Sequence, residues 1–145
     1  MTGQWEMSDA WVFAAIQGHD AADGMRLRDI IFHADYLNHA VLEEHEFCRA
    51  VPRLLAVDLI GADRDADRYW RTAAGQELFD RRMKRRGAFG WIDAIPPALR
   101  RLGEPRDSEW TLPPGAFATA VQDYLDEFAR RMRERERRRR PKKET

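Results

Sequence analysis

The chain has 145 residues, of which 43% are hydrophobic and 34% are charged, so one domain with a sizeable core is expected. Its 25 basic and 25 acidic residues cancel, and the net charge therefore excludes neither an anionic nor a cationic partner. The charges are unevenly distributed. Residues 1–60 carry ten acidic and four basic side chains (net −6), whereas residues 130–145 carry ten basic and three acidic ones (net +7). This asymmetry predicts a basic tail on an acidic body.

The compartment follows from what the chain lacks. A single cysteine, Cys48, excludes an internal disulfide and fits a reducing environment, where it is expected to serve as a small buried hydrophobe. No run approaches the roughly 18 apolar residues of a membrane span, and residues 1–11 have neither the basic nor the apolar part of a secretory signal. We therefore expect a cytoplasmic protein with no membrane partner.

Three helices are predicted first. Ser8 can cap the first helix and Gly18 can end it. The second helix has apolar residues at helical spacing: Leu27, Ile30, Ile31, Ala34 and Leu37. The third, within residues 41–61, has an apolar stripe and ends at Gly61, and Pro52 is expected to kink it or split it in two.

A β-hairpin is predicted next. Residues 57–60 can pair with residues 68–71 across a loop rich in Gly and Asp. Tyr69 and Trp70 point to opposite faces of such a hairpin, so one of them is expected to anchor it on the helices. Thr72 can then cap a fourth helix that ends at Gly87.

The remainder is predicted to be helical with two interruptions. Pro96 and Pro97 are expected to divide residues 88–103 into two short pieces, and the loop after them is expected to dock through Trp110 and Leu112. The longest helix starts near residue 116 and ends at Pro141, with the last residues disordered. One face of it carries Phe117, Val121, Tyr124, Leu125, Phe128 and Met132.

Three helices followed by a hairpin and a further helix form the winged helix-turn-helix arrangement. Over about residues 8–75, and above all in "RLLAVDLIGADRDADRYWRTAAG", the chain resembles bacterial winged-helix regulators of the MarR and PadR type. The resemblance implies a mainly α fold with a two-stranded wing and additional C-terminal helices. It also implies a DNA-binding transcriptional regulator. The expected division is a winged helix-turn-helix domain at 1–87, a helical C-terminal extension at 88–129 and a basic tail at 130–145.

Under this resemblance the third helix enters the major groove of duplex DNA, and the wing touches the backbone. His45, Arg49 and Arg53, four apart, would face the bases, and arginine suits guanine edges because its fork matches two acceptors. Arg64 and Arg68 on the wing would meet phosphates. Sequence-independent backbone contacts would come from residues 81–86 and from the tail arginines Arg137, Arg138, Arg139 and Arg140.

Several alternatives stay open. Glu43, Glu44 and Glu46 suit the positive end of the third helix but would repel phosphates, so a winged-helix protein–protein interaction module without DNA binding is the second hypothesis. The basic tail could equally be a solubilising end, or contact the acidic body or a neighbouring subunit. The apolar stripe of the last helix could pair two copies into a homodimer or pack on the chain's own core.

No catalytic pattern is found. His33, His39 and His45 are six apart, which puts successive members about 240° apart on a helix, and no cysteine pair accompanies them. Ser8 and Ser108 lie in no nucleophile turn, and no phosphate-binding glycine loop occurs. The chain is therefore expected not to be an enzyme and to hold no metal or cofactor.

Overall fold

The structure, a computed structural model, describes residues 3–140 of the chain. It is mainly helical, with one antiparallel hairpin after the third helix and further helices behind it, so the predicted fold class is confirmed. The helices are α1 (Met7–Ala15), α2 (Leu27–Asn38), α3 (Glu44–Ala56), α4 (Ala73–Met83), α5 (Trp91–Arg100) and α6 (Ala116–Arg139), with a short 3₁₀ helix at Ala88–Gly90. The strands are β1 (Ile60–Asp63) and β2 (Arg68–Arg71).

Helix α1 is the centre of the molecule. Every residue from Asp9 to Ile16 is buried, and α2, α3 and α5 all pack against this helix. A helix that is apolar nearly all round is expected to be enclosed in this way. Its first turn is closed by the backbone N–H of Glu6, which donates to Asp9 Oδ2 at 2.8 Å. The expectation that Ser8 caps this helix is wrong, because Ser8 already lies inside it.

The hairpin forms three residues later in the first strand than expected. Ile60 pairs with Arg71 and Asp63 with Arg68, so residues 57–59 are not part of the strand. These residues are needed to leave α3, and Asp58 makes that turn with a positive φ of 59°. The segment before α2 adds to the hairpin, since Met25 and Tyr69 exchange backbone hydrogen bonds of 2.7 and 2.9 Å.

Tyr69 is the anchor of the hairpin, with 1% of its surface exposed. Its ring meets that of Phe47 edge to face, with centroids 5.4 Å apart. Trp70, on the opposite face, is half-buried and covers Gly61, where a Cβ would come within 2.3 Å of the indole. Tyr69 therefore supplies the packing on the helices that an isolated two-stranded sheet requires, while Trp70 packs across the strands on its own partner Gly61.

Thr72 caps α4 as predicted. Its Oγ1 accepts from the backbone N–H of Gly75 at 3.0 Å and donates to the carbonyl of Asp58 at 2.6 Å. Gly75 allows the helix to approach the hairpin, because a Cβ there would lie 1.9 Å from the carbonyl oxygen of Leu59. Helix α4 ends at Met83, four residues before the expected Gly87.

The internal prolines do not divide their helices. Pro52 lies within α3, and Pro96 and Pro97 lie within α5, each of which is a single helix. Pro52 and Pro96 are buried, so packing on neighbouring helices offsets the lost backbone hydrogen bonds. The prediction that Pro96 and Pro97 divide residues 88–103 is therefore wrong, because the boundary between the 3₁₀ helix and α5 falls before Trp91, and Pro52 does not split its helix.

Helix α6 packs on α2 mainly through its first half, and Arg131 further along lies over the Phe32 ring of α2 at 5.3 Å. Phe117, Ala120 and Tyr124 are buried in that first half, and the Tyr124 hydroxyl donates to Asp35 on α2. Beyond that point the apolar stripe is open: Leu125, Phe128 and Met132 expose 45%, 51% and 43% of their surfaces. The last helical residue is Arg139, and the expectations for residues 141–145 lie outside the described part of the chain. No helix of the described residues is long and apolar enough to cross a membrane.

Candidate nucleic-acid interface

The exposed start of α3 is acidic. The backbone N–H of Glu43 donates to Glu46 Oε1 at 3.0 Å and closes the first turn, while the side chains of Glu43 and Glu44 face solvent. His45 is exposed beside them, with its Nδ1 3.2 Å from Glu43 Oε2. Arg49, one turn later, is engaged with Glu6 across a 2.6 Å ion pair. The surface predicted to face DNA bases thus holds two exposed cationic or titratable side chains, each beside a carboxylate.

Arg53 is not on that surface. It is 8% exposed, and its Nη1 lies 3.1 Å from the fully buried Asp9 Oδ2 and donates to the carbonyl of Gln4 at 3.0 Å. Burial raises the pKa of Asp9, an effect larger than the opposing effects of the hydrogen bond from Glu6 and of the nearby Arg53 charge. The predicted role of Arg53 at the groove is therefore corrected: this guanidinium is built into the core.

Residues 103–113, here called the covering segment, add to the cover that α1 gives α3. Trp110 places its indole against Phe47 of α3, with centroids 6.0 Å apart, and against Tyr69 at 6.1 Å. Asp107 lies 3.8 Å from Arg53, and Trp5 donates its indole N–H to the carbonyl of Gly103 at 2.8 Å. The docking of Trp110 is confirmed, and the second half of α3, residues 50–54, is buried without a break.

The wing offers few available cations. Arg64 is exposed, but its Nη1 donates to the carbonyl and the hydroxyl of Thr111 in the covering segment, at 3.0 and 3.2 Å. Arg68 is half-buried at the start of β2. Arg71, at the end of β2, is buried against the Phe79 ring at 3.6 Å, and burial lowers its pKa to about 10. Asp65 and Asp67 lie in the turn between the strands, and Asp63 is the last residue of β1.

The second half of α6 is different. Residues 128–140 contain eight arginines and two glutamates, and every one of these arginines is exposed. Arg130 pairs with Glu127 and Glu134, and Arg131 pairs with Glu127. The hydrogen bond from Arg130 lowers the pKa of Glu127.

Several α6 arginines have no carboxylate partner. Over residues 3–140, the side chains of Arg133, Arg137 and Arg140 form no ion pair, and neither do those of Arg138 and Arg139. At 100° per residue, Arg133 and Arg137 lie on one face of the helix, roughly 140–180° around from Phe128, and Arg140, the C-cap residue, follows on the same side at roughly 120°. This set of three is here called the arginine row. All three side chains are exposed.

Sequence patterns could not locate these arrangements. The arginines 49 and 53 share a helical face by spacing, but Asp9 is 44 residues from Arg53, and only the fold shows that they meet. No periodic pattern in the sequence predicts that the covering segment packs against α3. By contrast, the run of basic residues at 130–140 can be recognised in the sequence. It is the part of the predicted interface whose arginines are all exposed to solvent.

The described residues contain no group of three or more His, Cys, Asp or Glu side chains arranged to hold a metal ion. Cys48 is half-buried on α3, and burial raises the pKa of its thiol, with a further contribution from Glu44. In comparisons with known proteins, the chain matches no family model, no curated protein and no solved structure.

Proposed function

We propose that this chain is a cytoplasmic nucleic-acid-binding protein of the winged-helix class that contacts duplex DNA through the arginine row of α6 and acts in transcriptional control. One observation carries the proposal: Arg133, Arg137 and Arg140 are exposed on one helical face and form no ion pair with the described residues. Unpaired guanidinium groups are strong ligands for phosphate oxygens, because their planar forks bind two oxygens at once.

The distribution of charge favours α6, and not α3, as the helix that contacts DNA. Duplex DNA carries one negative charge per roughly 1.7 Å of its axis, so a helix that presents Glu43 and Glu44 is repelled. Arg53 and the wing's Arg64 already hydrogen-bond within the chain, to Asp9 and to Thr111 respectively. The arginine row spans about 10 Å of helix at 1.5 Å per residue, long enough to reach several phosphates of the backbone.

Contacts of this kind position a protein on DNA without identifying its sequence. The proposal therefore includes little discrimination between duplexes. It also requires affinity to fall steeply with salt, since each phosphate contact releases condensed counterions.

We propose further that two copies pair through the exposed stripe of α6, which consists of Leu125, Phe128 and Met132. These residues are spaced three and four apart, the spacing of a helix–helix seam. Residues 116–127 carry three acidic side chains and no basic one, whereas residues 128–140 carry a net charge of +6. An antiparallel pair centred near Phe128 sets each acidic half beside the partner's basic half, so a second copy of the chain complements this face.

The pairing gives a first expected result. Replacing Phe128 and Met132 by serine should convert a dimer into a monomer, because the seam then loses its largest apolar groups. Sedimentation velocity at micromolar concentration measures the change. Leu102→Ser is the control, because this leucine just after α5 is equally exposed but lies outside the proposed seam. It should leave the dimer intact. A wild-type chain that sediments as a monomer at every concentration contradicts the pairing.

The DNA contact gives a second expected result. Fluorescence anisotropy with two unrelated duplexes of equal length should give similar affinities, and log K should fall with log salt with a slope of about −3 or steeper. The slope follows from three or more phosphate contacts at roughly 0.9 each. Absence of binding at 20–50 mM salt refutes the proposal.

An interaction module without DNA binding is the second candidate, and the acidic first turn of α3 favours it. Glu43 and Glu44 are exposed together at the end of the helix, where a basic segment of a partner protein would find them. This candidate predicts no retention of duplex DNA at low salt, so the same titration separates the two functions.

A further inference from the structure

A cluster of aromatic rings lies on the surface between the end of α2 and the 3₁₀ helix. The centroid of Phe89 is 5.8 Å from that of Tyr36 and 5.7 Å from that of His39, and both pairs are tilted by 32°. His33 stacks on Tyr36 with an interplanar angle of 10°. These four side chains, His33, Tyr36, His39 and Phe89, are here called the ring cluster.

Three of the four rings are open to solvent, whereas His33 is half-buried with its Nδ1 2.9 Å from the carbonyl oxygen of Ala15. Tyr36 exposes 54% and Phe89 47% of its surface, and His39 is exposed as well. Large aromatic side chains usually become buried because their apolar area is costly to hydrate. Here α2 already packs on the body through Leu27, Ile30, Ile31, Ala34 and Leu37, so the fold does not use these ring faces.

The backbone holds the cluster together. Tyr36 and His33 are three residues apart on α2, one helical turn. His39 caps that helix in the left-handed conformation, with φ of 53°, and so turns towards Phe89. Phe89 arrives from 50 residues further along the chain on the 3₁₀ helix Ala88–Gly90.

A strongly basic segment adjoins the rings. Residues 81–86 contain five basic side chains and no acidic one, and all of them are at least partly exposed. The segment ends three residues before Phe89, and a Cβ placed on Gly90 would come within 2.8 Å of the Cβ of Arg86. Arg86 is thus beside the helix that carries Phe89. Of the nearby acids, Asp35 is engaged by Tyr124, and Asp93 is exposed on α5.

We propose that the ring cluster binds single-stranded nucleic acid, with unpaired bases stacked on Tyr36 and Phe89 and the adjoining phosphates held by the basic segment 81–86. Exposed rings beside cations are the combination that such a strand requires, because every base has a flat π face and every linkage has a charge. The basic flank favours a polyanion over an apolar protein surface. This site is separate from the arginine row and does not depend on it.

The test compares two single strands that differ only in their bases. A fluorescent decamer of thymidylate and a decamer of the same length built from abasic residues carry equal charge, so a purely electrostatic surface binds both equally. For the full chain we expect the base-bearing strand to bind about tenfold tighter or more, as stacking on two rings implies. A strand containing 2-aminopurine should also lose fluorescence on binding, which reports stacking directly.

Matched variants assign the effect to the rings. Replacing Tyr36 and Phe89 together by leucine keeps apolar side chains at two exposed positions and should reduce the preference for bases to about one. Phe32→Leu, at an exposed ring of α2 that packs against Tyr124 and lies outside the ring cluster, is the control and should retain the preference. Folding of each variant is checked by thermal unfolding.

Two results overturn the inference. Equal affinity of the wild-type chain for both decamers shows that no stacking occurs, and an undiminished preference in the double leucine variant places the stacking elsewhere. Neither result affects the duplex contact of α6, which is measured separately on double-stranded DNA. If duplex binding fails but the base preference is retained, the proposed function is refuted, whereas single-strand binding at the ring cluster is supported.

Discussion

Replacing Arg53 by alanine should lower the free energy of unfolding by about 3–5 kcal/mol, whereas Arg49→Ala, one turn earlier on α3, should lower it by less than about 1 kcal/mol. The two arginines share a helix face, and each is paired with a carboxylate. They differ in burial, since the Arg53 side chain is nearly enclosed and the Arg49 pair faces solvent.

The large effect arises from the carboxylate left behind. Asp9 has no exposed surface, and its Oδ1 has no hydrogen-bond partner among the described residues. Without Arg53, the remaining Asp9 oxygen would keep only the N–H of Glu6, and a buried charge without its counterion is strongly destabilising. The exposed Glu6 is instead rehydrated when Arg49 is removed.

Urea unfolding of the two variants measures the difference. A partial recovery is expected when Asp9→Asn is combined with Arg53→Met, because a neutral pair needs no counterion. If Arg53→Ala were as stable as Arg49→Ala, the buried Arg53–Asp9 pair would contribute no more to stability than an exposed ion pair, contrary to this expectation.

The elements of the fold were largely predictable because they depend on local patterns. The periodic apolar residues of α2 and α6, and the hydroxyl of Thr72 before α4, act within a few residues of themselves. The register of β1 was not predictable, because it depends on how Asp58 turns the chain out of α3. The continuity of the helices through Pro52 and Pro96 was also missed, since burial of those residues outweighs the local cost.

The site was less predictable than the fold. Which arginine remains available depends on distant partners: Asp9 for Arg53, Glu6 for Arg49 and Thr111 for Arg64. None of these pairs has a sequence signature. Phe89 and Tyr36 illustrate the same limit, because 53 residues separate two rings whose centroids are 5.8 Å apart. Of the arginine row, Arg137 and Arg140 were expected from the charge run itself, whereas Arg133 was not.

The arginine row should account for most of the affinity for duplex DNA. Replacing Arg133, Arg137 and Arg140 by glutamine removes three charges that no described carboxylate neutralises. Each lost phosphate contact should reduce the salt slope by about 1, so the triple variant should lose about 3 units of slope and at least tenfold in affinity at low salt. Glutamine also has good helix propensity, so α6 itself should persist.

A second triple variant provides the matched control. Replacing Arg49, Arg64 and Arg68 by glutamine removes the same number of charges from α3 and the wing. Two of those side chains are already engaged, Arg49 by Glu6 and Arg64 by Thr111. The slope should therefore remain close to that of the wild-type chain. Circular dichroism shows whether both variants keep their helix content.

The slope of log K against log salt for these two triple variants, on one duplex, is the most direct test of where the chain meets DNA. We predict a slope reduced by about 3 for the α6 variant and nearly unchanged for the α3 and wing variant. The opposite result, with the slope lost when Arg49, Arg64 and Arg68 are replaced and kept when the arginine row is replaced, would contradict the account.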